Sequence, residues 1–311
     1  MAELDDLLSV LKETGGDRAI LADRLSAHAV VDGSRILSLN EVPGLALHAR
    51  EKEEGIEAQI VVGEGVKIER PVHLCFGVLQ ATGNQDIVID LRMETGASAH
   101  FLAHCLFPGA QRVRHRMQAR IEIGQGAELR YTEAHFHGPY GGIEVLPKTE
   151  VRVGENGRFL SEFTLTSGRV GRLDLDLVVE AAENAVAELT ARIFGHADDE
   201  IKVREKIVLR GANSRGLIKS RIALDGDATA EVTGITEGHA AGARGHVDCM
   251  ELVRERAVGR AIPIVQVTHP LAKVTHEAAI GSVDQQQLET LMAHGLTPEE
   301  AVDVIIKGIL R

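Results

Sequence analysis

The chain has 311 residues, a formal charge of −12, 32 glycines, no tryptophan and only 3% aromatic residues. Binding phosphate backbones needs Lys and Arg gathered on one face, so this balance argues against a nucleic-acid partner. No apolar run reaches the length of a membrane span, and an N-terminus reading MAELDDLLSV is acidic where a secretion signal is basic, so a soluble, cytoplasmic protein is expected.

The first element is a short amphipathic helix. Leu4, Leu7, Leu8 and Leu11 recur at helical spacing, Glu3, Asp5 and Asp6 occupy the first turn, and Gly15-Gly16 stops it. A second helix is expected after Asp17. From about Leu47 to Thr275 the pattern changes to alternating runs such as EAQIVVGEGVKIE and DLDLVVEAAENAVAELTARI, interrupted by Gly, Asn or Asp. The interruptions are periodic: Gly65, Gly96, Gly126, Asn156, Asn184 and Asn213 follow one another at 31, 30, 30, 28 and 29 residues. Residues that tolerate a left-handed backbone, recurring at one corner of a near-constant period, predict a solenoid of stacked coils, a parallel β-helix. The alternative, an antiparallel sandwich with evenly spaced hairpins, normally turns more often than this.

The chain ends in two helices. Ser282 is placed to cap the first, in which Leu288, Leu291 and Met292 share a face and Gly295 ends the run. The second offers Thr297 as N-cap, Pro298 at its first position and Glu300 completing a capping box, with Val302, Ile305, Ile306 and Ile309 as its apolar stripe. A hairpin of this size cannot bury its apolar faces by itself, so it must pack on the solenoid, on a partner or on both. The organisation predicted is a helical segment and lead-in over 1–46, a β-helix core over 47–275 and a helical hairpin over 276–311.

Nucleotide motifs fail on inspection. GANSRGLIKS spaces Gly211 and Gly216 like a P-loop but continues with Leu217 and Ile218 where Lys and a hydroxyl residue are required. His276-Glu277 opens the zinc-protease pattern HExxH, but Ile280 stands where the second histidine belongs and cannot ligate a metal. Three groups could converge on a metal: His73 with Cys75; His100, His104 and Cys105; and His135 with His137. Histidines stacked on the outer surface of a solenoid are the plainer explanation for them. A last cluster, His246, Asp248, Cys249, His276 and Glu277, gathers near the end of the β region. There Asp248 and Glu251 disfavour a Cys249 thiolate unless a cation is present, and Cys249 otherwise reads as a small buried hydrophobe. The cysteines Cys75, Cys105 and Cys249 are odd in number and too widely spaced for a disulfide framework or a zinc ribbon.

The C-terminal stretch AIPIVQVTHPLAKVTHEAAIGSVDQQQLETLMAHGLTPEEAVDVIIKGIL resembles the C-terminal signature of the SufB/SufD family of iron-sulfur cluster assembly proteins. The matching elements are Pro263 in a β run, His276-Glu277-Ala278 with Gly281, the VDQQQL helix start, and Glu299-Glu300-Ala301 leading to Gly308; Leu209 to Gly238 resembles the family's β-helix core. The resemblance implies a right-handed parallel β-helix flanked by helices. It implies C-terminal helices that dock a SufC-like ABC-type ATPase, here through Leu288, Leu291, Met292, Val302, Ile305, Ile306 and Ile309. It also implies pairing of two β-helix chains near their C-terminal ends, as a homodimer in the short archaeal-type form. The N-terminal cysteine motif of many bacterial members is absent, and Ala257 stands near the place of their cysteine before the proline. Cys249 and Glu277 do match, so Cys249 and Glu277, with His276, are the expected ligands of a transient iron-sulfur cluster, and Ile280 is expected to pack under the junction with the hairpin. The chain is then a scaffold, with ATP hydrolysis in the partner. The rival readings are a SufD-like structural partner without ligands and, from a different class, a carbohydrate-active β-helix, which the scarcity of aromatic sugar platforms disfavours.

Overall fold

The computed structural model describes residues 2–17, 19 and 23–310, and the second helix expected after Asp17 lies outside them. Helix α1 (Ala2–Leu11) runs into a 3-10 turn at Lys12–Thr14 and stops at Gly15, whose backbone is left-handed. The strands then form two sheets among the described residues. One runs β2 (Arg35–Asn40), β1 (His28–Asp32), β5 (Val72–Gly77), β7 (Ser98–Phe107), β9 (Glu128–His137), β11 (Arg158–Leu165), β13 (Val186–Gly195), β15 (Arg215–Leu224), β17 (Arg244–Val253), β19 (Lys273–Gly281). The other runs β3 (Leu45–Lys52), β4 (Gly55–Val62), β6 (Thr82–Met93), β8 (Arg112–Ile123), β10 (Ile143–Val153), β12 (Gly171–Ala181), β14 (Glu200–Leu209), β16 (Thr229–Gly238), β18 (Val258–Val267). Apart from the antiparallel pairs β1·β2 and β3·β4, neighbours are parallel, so successive coils alternate between the sheets. This is a parallel β-solenoid of about eight turns, and the parallel pairing sets the antiparallel sandwich aside.

The period comes from the corners. Gly65, Gly96, Gly126, Asn156, Asn184 and Asn213 all have positive φ, and Gly242 continues the series. Each turns the chain by the same amount and aims its N–H at the next coil: Gly96 donates to Gln125, Gly126 to Glu155, Asn156 to Glu183 and Asn184 to Ala212, at 2.8–2.9 Å. Every coil thereby closes in register with its neighbour. The opposite corner has its own left-handed series, Gly168, Ala197, Gly226 and Glu255. At Gly168 a side chain is excluded twice over, by φ of +81° and because a Cβ would lie 1.8 Å from the His137 carbonyl oxygen.

Alternate residues of both sheets face a shared interior, and one continuous core runs from Ala27 to Ala272. Its columns are read directly from the register. Ala103, Glu133, Phe163, Ala191, Ser220, Cys249 and Ala278 form one; Cys105, His135, Leu165, Ile193, Ile222, Glu251 and Ile280 form the next. Apolar residues fill the middle of each column, while polar ones collect near its two ends.

Both helical ends pack on the outer face of the first sheet. Leu7, Leu8 and Leu11 of α1 cover Val30, Cys75 and Leu106. At the other end, helices α2 (Gln285–Ala293) and α3 (Pro298–Ile309) fold back so that Val302, Ile305 and Ile306 cover Ala223 and Leu252. The capping box of α3 forms through Thr297 and Glu300 as expected, but α2 is capped by Asp284 rather than Ser282. Asp284 lies immediately before the first helical residue and its carboxylate accepts from the Gln287 N–H at 2.7 Å, whereas Ser282 still belongs to the extended lead-in. No helix among the described residues is long and apolar enough to cross a membrane.

Candidate functional site

The alternation of strands decides where each candidate side chain goes. Cys249 lies on β17, faces the interior and is 1% exposed. Its neighbours in the column are Ser220 below and Ala278 above. Glu251, two residues on and therefore on the same face, is also 1% exposed, and neither of its carboxylate oxygens has a hydrogen-bond partner among the described residues. From the facing sheet come Glu205, which accepts one long hydrogen bond from the Ser220 hydroxyl at 3.4 Å, and Thr236, whose hydroxyl is buried and unpartnered. Gly234 follows Glu205 in its column, and a Cβ there would lie 2.6 Å from Val247 Cγ1 and 3.7 Å from the Cys249 sulfur, so the glycine lets the facing sheet pack closely against the thiol.

The environment of these groups disfavours negative charge. Burial pushes the Glu205 carboxyl up to about 8 and the Glu251 carboxyl to about 7. Burial, reinforced by Glu251, pushes the Cys249 thiol up to about 12. A thiol and two carboxyls kept neutral side by side lack a cation, and a bound metal would favour the charged form of all three. Thiolate and carboxylate are donor types that suit iron, but among the described residues the ligand atoms that converge within 4.8 Å are those of Cys105, Glu133 and His135, not these three.

His276 and Glu277 lie on β19, the last strand of its sheet, and both are exposed. His276 is in register with buried Val247 and so shares the inner face with Cys249; Glu277 is in register with Asp248 and projects from the outer face. The fold thus brings His276 to the side of the sheet that Cys249 occupies and directs Glu277 to the other. Asp248 is held by Arg221 through a two-pronged pair at 2.6 and 3.0 Å, which keeps its carboxyl below the usual range. His246 pairs with the Thr275 hydroxyl at 2.8 Å. Glu251, expected from the sequence as an acidic neighbour of the Cys249 thiol, does share its inward face, whereas Glu205 is not signalled by the sequence. The first was legible as the residue two along the strand, and Ser220 as the residue one 29-residue coil earlier.

Among the described residues no coil follows β18 and β19. Their inward residues, Val265, Val267, His276 and Ile280 among them, end the solenoid in an uncovered apolar surface, with Val267 47% and Ile280 48% exposed. Ile280 therefore does not pack under the hairpin: it tops the column of Glu251, and the hairpin covers the outer face instead. Of the hairpin residues, Val302, Ile305 and Ile306 are buried on the chain's own sheet, Leu288, Leu291 and Ile309 are partly buried beside them, and Met292 is exposed.

The upstream histidines are not a surface stack. His73 and His104 lie under the 3-10 turn after α1, with rings stacked at 5.5 Å and His104 Nδ1 bonded to the Thr14 hydroxyl at 2.9 Å; burial pulls both down to about 4. His100 is half-buried and meets Thr132. Cys105, His135 and His137 point inward and are buried, whereas Cys75 is covered by α1.

Comparison with known proteins gives one consistent result. Residues 82–309 match the family model described as SUF system FeS cluster assembly, SufBD core domain. An iron-sulfur cluster assembly SufBD family protein of Methanocaldococcus jannaschii is 37% identical over 308 residues, covering 99% of this chain and 98% of that one. One from Pyrococcus horikoshii is 34% identical over 308 residues, covering 99% and 94%. A chloroplastic SufBD family protein of Arabidopsis thaliana is 23% identical over 228 residues, 70% of this chain and 41% of its own length.

Proposed function

This chain belongs to the SufBD family of iron-sulfur cluster assembly proteins, and from that premise we propose that it is a scaffold that holds a nascent cluster at the C-terminal end of its solenoid. The observation that carries the reading is the buried Cys249 beside the unpartnered carboxylate of Glu251, one coil beneath an uncovered end. Iron reaching these buried groups supplies the missing positive charge and draws off the thiol proton, so Cys249 becomes a ligand only when cargo arrives. His276 joins from the inner face of the last strand. Glu277, on the outer face, serves a second copy of the chain across the junction. The thiols are free and buried, which suits a reducing compartment such as the cytoplasm.

Two partners complete the proposal. A second copy covers the exposed Val265, Val267 and Ile280, forming a homodimer through the open end. A SufC-like ABC-type ATPase docks on the free side of the hairpin, and its motion opens the chamber that otherwise keeps Cys249 from solvent. By light scattering the purified chain is expected to have the mass of a dimer and Val265→Asp that of a monomer; a wild-type monomer overturns the pairing.

Anaerobic reconstitution with ferrous iron and sulfide tests the cluster site. The wild-type chain is expected to take up iron and acquire visible charge-transfer absorption, and Cys249→Ser to lose most of both. Undiminished iron in Cys249→Ser would overturn the assignment and leave the SufD-like structural role, which the high exclusion of Cys249 from solvent also favours.

A further inference from the structure

A second polar chamber lies inside the same solenoid, separated from Cys249 by the apolar Leu165, Ile193 and Ile222 of one column and the Phe163 and Ala191 of the other. Cys105 and His135 stand one above the other on β7 and β9, Glu133 lies two residues before His135 on the same inward face, and His115 enters from β8 of the facing sheet. All four are buried, at no more than 6% exposure. One ligand atom from each of Cys105, Glu133 and His135 lies within 4.8 Å of the others, and His115 Nε2 is 4.0 Å from the Cys105 sulfur.

The proton on His115 is fixed by its surroundings. The Gln85 amide nitrogen donates to two carbonyls, Gly33 and Gly77, each at 2.9 Å, so the Gln85 oxygen is the atom facing His115 Nδ1 at 2.9 Å. Nδ1 must therefore carry the hydrogen, and Nε2 presents a lone pair toward Cys105. A distance of 4.0 Å is long for a thiol hydrogen bond and lies a few tenths of an ångström beyond the separation of two ligands on one ion, a gap that small side-chain shifts close. Metal–ligand lengths of about 2.0–2.3 Å place tetrahedral ligands about 3.3–3.7 Å apart. His135 Nδ1 is 3.1 Å from His137 Nε2, the kind of outer support that orients metal-ligating histidines, while its Nε2 lies 2.7 Å from Glu133 inside the site, a direct contact that an ion bound between them replaces. Tyr131, on the same strand as Glu133, keeps a buried hydroxyl with no partner among the described residues. A cavity of about 30 Å³, room for one water, lies on the side of Glu133 and Tyr131 away from Cys105 and reaches Glu205.

We infer that Cys105, His115, Glu133 and His135 form a binding site for a single divalent transition ion of zinc or ferrous type, distinct from the cluster site at Cys249. A mixed set of one thiolate, two imidazoles and one carboxylate suits borderline-soft ions and excludes magnesium and calcium, which take oxygen ligands. The ion joins β7, β8 and β9 across the interior, locking together the coils that carry the outer histidine pair and α1.

Cobalt is the probe, because thiolate-bound tetrahedral Co²⁺ has a sulfur-to-metal charge-transfer band and intense visible d–d bands. After equilibration with Co²⁺ and desalting, the full-length chain is expected to retain about one ion with these bands. Cys105→Ser should abolish the charge-transfer band, His115→Gln should lose most of the retained ion with the band altered, and Cys75→Ser, on the outer face under α1, should leave the spectrum unchanged. Circular dichroism of each variant checks that the solenoid is intact, and His115→Gln serves if Cys105→Ser does not fold. A wild-type chain that retains no cobalt, or a band that survives Cys105→Ser and vanishes in Cys249→Ser, overturns the inference. The second outcome would place the ion at the C-terminal chamber.

Discussion

Glu205→Gln is expected to stabilise the chain at neutral and alkaline pH and to bring no gain in acid. Glu205 is 2% exposed and its one hydrogen bond is the 3.4 Å contact from Ser220, so burial dominates and raises its carboxyl from 4.5 to about 8. The folded chain thus binds a proton more tightly than the unfolded chain does. The stability this confers is complete below about pH 4.5 and declines by about 1.4 kcal/mol per unit until the folded carboxyl ionises near 8, a loss of about 3 kcal/mol at pH 7. Glutamine keeps the shape and cannot ionise, but its amide hydrogens enter a site with few acceptors, costing about 1 kcal/mol at every pH. Urea titrations at pH 5 and pH 8.5 should find the variant equal or slightly weaker at the lower pH and clearly stronger at the higher. An equal difference at both would show that burial does not raise the Glu205 carboxyl above its ordinary range.

The solenoid was legible because its corners obey backbone chemistry. Gly and Asn mark one left-handed series in plain sight, and every position read from them has positive φ. The opposite corner was hidden because Ala197 and Glu255 adopt the same conformation without belonging to the residue types that favour it; they are carried there by the coils stacked on either side, not by local preference. The start of the β region was missed for a related reason. β1 and β2 lie within 28–40, where the sequence offers short runs and the parallel partner, β5, is more than thirty residues away. For the candidate site, proximity in sequence misled where parity would have helped. His276 and Glu277 are adjacent and therefore face opposite ways, while Cys249 and Glu251, two apart, share a chamber. The inward histidines escaped because a strand pattern does not say which of its two faces is the interior; His135 and His137 alternate with Ala134 and Phe136 and read equally well with either side buried.

Ile306→Asp separates the hairpin's two roles. Ile306 is 1% exposed against Ala223 and Leu252, and exchanging it for aspartate removes that packing and places a carboxylate against apolar surface, costing about 4 kcal/mol or more. The Ile306 cluster is separate from the continuous core of the solenoid, so the damage should stay local. Hydrogen exchange across 285–309 is expected to accelerate by two to three orders of magnitude while β7 to β15 keep their protection; equal acceleration in those strands would show that the hairpin is part of the solenoid's own cooperative unit. Val304→Asp is the counterpart. Val304 sits on the same helix but is 47% exposed, so its substitution should change stability by no more than about 0.5 kcal/mol. If an ABC-type ATPase docks on the free side of the hairpin, Val304→Asp abolishes copurification with the ATPase while leaving exchange untouched, whereas Ile306→Asp loses both. An ATPase that stays bound to Val304→Asp and to Ile306→Asp alike would place its docking surface elsewhere on the solenoid.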